Sequence, residues 1–195
     1  MTVEELREQT FAERARLVEV LGGLTGEQWH ADSLCAGWRV AEVVAHITLQ
    51  YRTGAAAFFA GFARAGFSFD RYADRAARRD AGRFSEGELL QSLADNVRTP
   101  WNPPGGGPAG ALSHDVVHGL DITEPLGLAS APAERIALVL ANSTPKNLAF
   151  FGADFSGIEF RAEDADVRVG SGRVVTLPAK DILLIVTGRK PVPRG

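Results

Sequence analysis

The sequence predicts an α+β fold: a four-helix bundle with one long crossover, followed by a small C-terminal α/β unit. Three observations predict it. Up to about residue 130, apolar residues recur at helical spacing behind N-capping signals. After Ala131-Pro132 the pattern changes to short alternating strands. Two histidines, His114 and His118, stand four apart on one face of a predicted helix, and a third, His46, lies in another amphipathic helix. Facing helices of a bundle are where such side chains build metal sites. Residues 1–130 are therefore read as the bundle and residues 131–195 as the small unit.

The elements follow in order. Thr2 with Glu5 three residues later forms a capping box, and Leu6, Leu17, Val20, Leu21 and Leu24 give the first helix its stripe. Gly22-Gly23 and Thr25-Gly26 end it, and Trp29 and His30 fall in a connector where His30 is read as solvated. Ser33 to Trp38 leads into a second helix with a core face of Val40, Val43, Val44, Ile47 and Tyr51; this helix is expected to run on to about Ala65. Phe67 to Arg83 is an Arg-rich crossover in which Asp70, Asp74 and Asp80 interleave with Arg71, Arg75, Arg78 and Arg79. A solvated, ion-paired face is its simplest reading. Ser85 and Glu88 make another capping box ahead of Leu89, Leu90, Leu93 and Val97. Thr99 to Pro108 holds four prolines and three consecutive glycines, so it is read as a loop or flap. Pro108 suits the first turn of the helix bearing His114 and His118, which Pro125 and Gly127 close. Beyond it come a helix at 133–142, strands at 158–163, 167–169 and 173–177, and a last helix at 179–187 opened by Pro178.

Composition narrows the function classes. Apolar residues make up 45% and charged residues 23%, enough apolar material for a buried core. A net charge of -3 gives no polyanion signal, so nucleic acid is not an expected partner. A single cysteine, Cys35, excludes an internal disulfide. No signal peptide is expected from the acidic N-terminus, and no apolar run is long enough to span a bilayer. A cytoplasmic protein, monomer or homodimer, with no membrane partner, is the expectation.

The chemistry-bearing residues are the histidines. His114 and His118 leave one helical face close enough to share an ion, and His46 would complete a facial tri-histidine site with open positions. By itself, a histidine pair at this spacing is more often a solvated surface pair, and a core-edge histidine such as His46 is usually a packing residue. Asp121 lies one turn after His118 and either orients it or serves only the helix end. Cys35 is preferred as a packed small side chain over a nucleophile, because no base lies at readable spacing.

Two stretches carry a resemblance. Cys35-Ala-Gly-Trp38-Arg-Val-Ala-Glu-Val-Val-Ala-His46 resembles the helix-two signature of DinB-like metal-dependent proteins. His114-Asp-Val-Val-His118-Gly-Leu-Asp121-Ile, followed by Pro125-Leu126-Gly127, resembles that superfamily's second metal motif. Within it, the chain is most similar to the maleylpyruvate isomerase-like, mycothiol-dependent branch. Leu177 to Leu184 and Gly188-Arg189 resemble the branch's final helix and Gly-Arg ending. The characterised isomerase pattern has a glutamate where this chain has His114, which puts maleylpyruvate itself in question as the substrate.

The resemblance implies that His46, His114 and His118 bind a divalent metal, zinc foremost, and that mycothiol is the thiol cosubstrate. Its metal-bound thiolate would attack a small electrophile, in an isomerisation or an S-transfer. The Gly-Arg match makes Arg189 a candidate for holding a carboxylate, with a structural role at the helix C-terminus as the alternative. Arg75 is a second candidate for a substrate anion. The rival readings are a non-catalytic metal- or small-ligand-binding stress protein using the same pocket, and a homodimerising bundle with vestigial histidines.

Overall fold

The computed structural model describes residues 2–144, 148–149 and 151–193. Helix α1 (Val3–Gly22) starts where the capping box places it: Thr2 Oγ1 accepts from the Glu5 amide at 3.2 Å and Glu5 Oε2 from the Thr2 amide at 2.6 Å. It buries Leu6, Phe11, Leu17 and Leu21. It also buries Glu13 and Arg14 completely, two charges set in the middle of its apolar stripe.

The second helix is not continuous to Ala65 as the sequence suggests. After a one-turn α2 (Gly26–Trp29) come α3 (Val40–Ile47), α4 (Leu49–Arg52) and α5 (Ala55–Arg64). The first break falls at Thr48, whose hydroxyl donates to the Val44 carbonyl at 2.7 Å, a back-bond that competes with the helix ladder. At Thr53 the backbone is extended, and Gly54 caps the next helix. The Arg-rich crossover is itself helical, α6 (Phe69–Ala81), capped by Ser68 and laid on α3. It buries Tyr72, Ala76, Ala77 and Asp80 while the arginines stay outside; Arg78 and Arg79 are ion-paired as the sequence suggests, whereas Arg71 and Arg75 bond backbone carbonyls instead. Helix α7 (Glu86–Ala94) begins at the Ser85/Glu88 box. Irregular chain through the proline-glycine stretch leads into α8 (Gly107–Thr123), with Pro108 in its first turn.

Helix α9 (Ala133–Ala141) opens the C-terminal segment. Strands β1 (Ile158–Ala162), β2 (Arg168–Gly170) and β3 (Arg173–Leu177) form a sheet in the order β2-β1-β3, and α10 (Ala179–Val186) covers it. β1 pairs antiparallel with β2 and parallel with β3, with Phe160 opposite Val169 on one side and Val175 on the other. To reach the far edge, the chain passes beneath the start of β1 at Gly172 (φ 125°); a Cβ there would stand 2.2 Å from the Gly157 carbonyl oxygen.

The hydrophobic core does not stop at residue 131. Phe160, Ile136, Leu140 and the buried face of α10 join Leu6, Leu112, Val116 and Leu120 in one continuous cluster. The small sheet packs on α9 and α10, and these two helices in turn meet α8, the helix that carries the histidine pair. A second cluster, of Leu17, Leu21, Val40, Val43, Val44, Ile47, Leu89 and Leu93, fixes α3 against α1 and α7.

Candidate metal centre

His46 sits at the edge of the most deeply buried face in the chain, since Val40, Val43, Val44 and Ile47 are all fully enclosed. The entry to α3 is set by a tight turn in which the Trp38 amide donates to the Cys35 carbonyl at 2.9 Å. Gly37 takes a left-handed conformation there (φ 74°), and a Cβ on it would crowd Arg78 Nη2. This gives the Gly-Trp pair of the helix-two motif a physical role. It delivers Trp38 onto His46, with ring centroids 5.3 Å apart, and brings Cys35 beside His118.

The structure brings the three predicted ligands together. One ligand atom from each of His46, His114 and His118 lies within 4.8 Å of the others. His46 Nε2 and His114 Nε2 are 3.2 Å apart. Two nitrogens on one tetrahedral zinc stand about 3.3 Å apart, so the spacing suits a shared ion. The side chains of His114 and His118 keep 14% and 15% exposure, which leaves the cluster reachable from solvent.

Each histidine of α8 is held from behind. His114 Nδ1 bonds Asp115 Oδ1 at 2.8 Å, and Asp115 Oδ2 accepts from Arg14 Nε at 2.7 Å. Arg14 also donates to the Thr99 carbonyl at 2.7 Å, tying the start of the proline-glycine loop to the same network. His118 Nδ1 bonds Asp121 Oδ2 at 2.9 Å, and Arg189 clamps Asp121 through Nε and Nη2 at 3.0 and 3.1 Å. With both Nδ1 atoms engaged, both Nε2 atoms face the cluster, the orientation that carboxylate partners impose on ligating imidazoles. His46 Nδ1 has no hydrogen-bond partner among the described residues.

Electrostatics favour the neutral form of His46 and His118. Burial, then the charges of His118 and His114, push the His46 pKa well below its ordinary value. Burial lowers His118 too, against the opposing pull of Asp121. For Asp121, burial alone would raise the pKa, but hydrogen bonds from His118 and Arg189 hold it well below the usual carboxylate range. For Asp115, burial is likewise overcome, by His114 and then Arg14, so it too stays ionised. The Cys35 thiol donates to Asp121 Oδ2 at 3.0 Å. Burial and the Asp121 charge push its pKa far up, so it is a packed donor and not a nucleophile.

The two arginines singled out in the sequence end in different places. Arg189 joins the site through Asp121, and its Nη1 donates to the Thr187 carbonyl at the end of α10. Its guanidinium is thus spent on a carboxylate of the chain and on the helix terminus. Arg75 is exposed on α6 and donates to the Arg64 carbonyl of α5, not to the histidine cluster. Sequence reasoning missed Arg14, Asp115 and Trp101, whose ring lies 5.4 Å from His114. A signal for the first existed: an arginine inside the apolar stripe of α1 implies a buried carboxylate partner.

The family model described as the mycothiol maleylpyruvate isomerase N-terminal domain matches residues 10–100. No curated protein matches the chain significantly. Among solved structures, a mycothiol-dependent maleylpyruvate isomerase matches with a TM-score of 0.63 at 13% identity, over 97% of this chain and 90% of that one. A histidine-to-alanine mutant of such an isomerase matches with a TM-score of 0.59 at 14% identity, over the same shares. Residues 10–100 therefore match the mycothiol maleylpyruvate isomerase N-terminal domain family, and the chain as a whole shares the fold of the mycothiol-dependent maleylpyruvate isomerase.

Proposed function

We propose that this protein is a thiol-dependent metalloenzyme in which His46, His114 and His118 hold a divalent cation, zinc foremost, and mycothiol is the thiol cosubstrate. The observation that carries this reading is the 3.2 Å approach of two imidazole Nε2 atoms, with the third ring nearby. Between bare imidazoles such an approach leaves at most one hydrogen bond, whereas two lone pairs aimed at one point are what a cation needs. A cation there would lower the pKa of a bound thiol and so favour a thiolate at neutral pH.

The chain's own residues do the rest. Asp115 and Asp121 fix the tautomers of His114 and His118 by accepting from Nδ1. Arg14 and Arg189 balance those two carboxylates. Trp38 and Trp101 wall the cluster with apolar surface, which limits water beside the reacting thiol. With Arg189 held by Asp121, an electrophile's carboxylate would have to compete for a guanidinium already in use.

The reaction class is attack of the thiolate on a small electrophile. Either it adds reversibly to a conjugated double bond, with the thiol expelled again as the isomer forms, or it displaces a leaving group, which departs from carbon with the bonding electron pair as the C–S bond forms (S-transfer). Turnover of mycothiol with a panel of conjugated and halogenated electrophiles tests it. The metal-loaded protein is expected to exceed the uncatalysed rate, and His46→Ala is expected to abolish the excess. Rates equal to background in both would favour the ligand-binding alternative.

A further inference from the structure

Helix α5 has no buried residue at all, although its sequence, Ala-Ala-Ala-Phe-Phe-Ala-Gly-Phe-Ala-Arg, is among the most apolar in the chain. It forms a hairpin with α6. Phe58, Phe62, Phe69 and Tyr72 make a ladder of ring contacts between the two, 5.1 to 6.5 Å between centroids. This ladder covers only one side. Phe59 remains 65% exposed, Phe67 73% and Phe69 47%, three of the five large apolar side chains exposed on the described surface. A contiguous exposed aromatic patch of this kind marks an interaction surface. Phe67 also holds a left-handed backbone (φ 58°), which costs a bulky residue strain that an asparagine or glycine would avoid.

The rim is cationic. The hairpin, residues 54–81, carries five arginines against three aspartates, in a chain whose net charge is -3. Arg64, Arg71 and Arg75 form no ion pair with any described residue. Arg71 and Arg75 donate to the Ala65, Gly66 and Arg64 carbonyls at the end of α5, which holds their charge beside the phenylalanines. Asp74 is already occupied by Trp38 and Arg78, and the buried Asp80 by Arg52 and Arg79, leaving Asp70 as the hairpin's remaining acid.

We propose that the α5–α6 hairpin docks on an anionic lipid bilayer surface, with Phe59, Phe67 and Phe69 entering the interface and Arg64, Arg71 and Arg75 meeting the headgroups. Aromatic side chains edged by arginines are the chemistry of interfacial attachment, which needs no spanning helix; none of the described helices is long and apolar enough to cross a membrane. A second copy packed two-fold on the same patch would set these unpaired arginines against their own images, so charge favours an anionic occupant.

The test is co-sedimentation of the full chain with phosphatidylglycerol vesicles and with phosphatidylcholine vesicles, at low and high salt, alongside its mass in solution. Binding to the anionic vesicles alone, weakened by salt, is expected. Arg64→Ala and Arg75→Ala should each weaken it about five-fold, and Phe59→Ser about ten-fold or more. Phe67→Asn should weaken binding while raising the thermal midpoint, because asparagine accepts the left-handed backbone; that separates lost docking from lost folding. Arg173→Ala, on the exposed face of the distant sheet, should change nothing. The proposal is overturned by absent binding to anionic vesicles, by equal binding to neutral ones, or by an Arg173→Ala effect as large as that of Arg64→Ala. A dimer that Phe59→Ser dissociates, without vesicle binding, would assign the patch to a second copy instead.

Discussion

Two arginine–aspartate–histidine chains converge on the same cluster from opposite sides, and they are built differently. Arg14–Asp115–His114 lies wholly within the bundle, with both charged side chains completely enclosed. Arg189–Asp121–His118 crosses from the C-terminal segment into α8, and its arginine keeps 15% exposure. The first is part of the packing of α1 against α8, so removing it should damage the fold. The second depends on where the C-terminal segment docks, so removing it should damage the site more than the fold. The C-terminal segment thus supplies the counter-charge behind Asp121 and, through it, His118.

The largest expected effect is on the buried chain. Arg14→Met leaves Asp115 ionised and unpaired in the core, and should cost about 3–5 kcal/mol in urea unfolding. A loss below about 1 kcal/mol would mean that the two braces do not differ in the way described. Next comes Arg189→Ala. It should leave a folded protein whose divalent metal affinity falls about 10–100-fold, because Asp121 loses its clamp and His118 its fixed orientation. Unchanged metal affinity, measured by competition with a chromophoric chelator, would remove Arg189 from the site.

Smaller effects sharpen the picture. Cys35→Ala deletes one donor to Asp121 and should cost about 0.5–1.5 kcal/mol without abolishing metal binding. Wild-type Cys35 should react only slowly with a disulfide reagent at neutral pH, since its pKa is raised. The smallest effect concerns Glu124 at the end of α8, which pairs with Lys180 and Lys190 at 2.7 Å each. Those lysines hold its pKa below the ordinary value, with burial opposing. A carboxylate depressed in the folded state stabilises above its unfolded pKa of about 4.3 and loses that contribution as pH falls through the lower folded value. The stability gap between wild type and Glu124→Gln should therefore close below about pH 4, and should be under about 1 kcal/mol at pH 7 because the lysines are solvated. A gap that widens on acidification would reverse the sign and refute the pairing.

Much of this site was legible as local pattern. The four-residue spacing of His114 and His118, the place of His46 on the core edge of α3, the capping boxes and the three strands are all short-range signals, and the structure reproduces them. What periodicity could not show was long-range pairing. Arg14 meets Asp115 across 101 residues, and Arg189 meets Asp121 across 68. The breaks at Thr48 and Thr53 were hidden because the apolar pattern continues through them, while a hydroxyl back-bond and an extended residue end the helices. The aromatic sequence of α5 misled in the other direction: its composition reads as core, yet only the side bearing Phe58 and Phe62 packs on α6, and Phe59 stays exposed.

The central claim is that three histidines, two of them braced, hold one divalent ion. The most direct measurement is metal content per chain of protein purified without a histidine tag, for wild type, His118→Ala and the His46→Ala, His118→Ala double variant. The account predicts close to one ion per wild-type chain, a sharp drop in His118→Ala, and none above background in the double variant. Full occupancy in the double variant would contradict it.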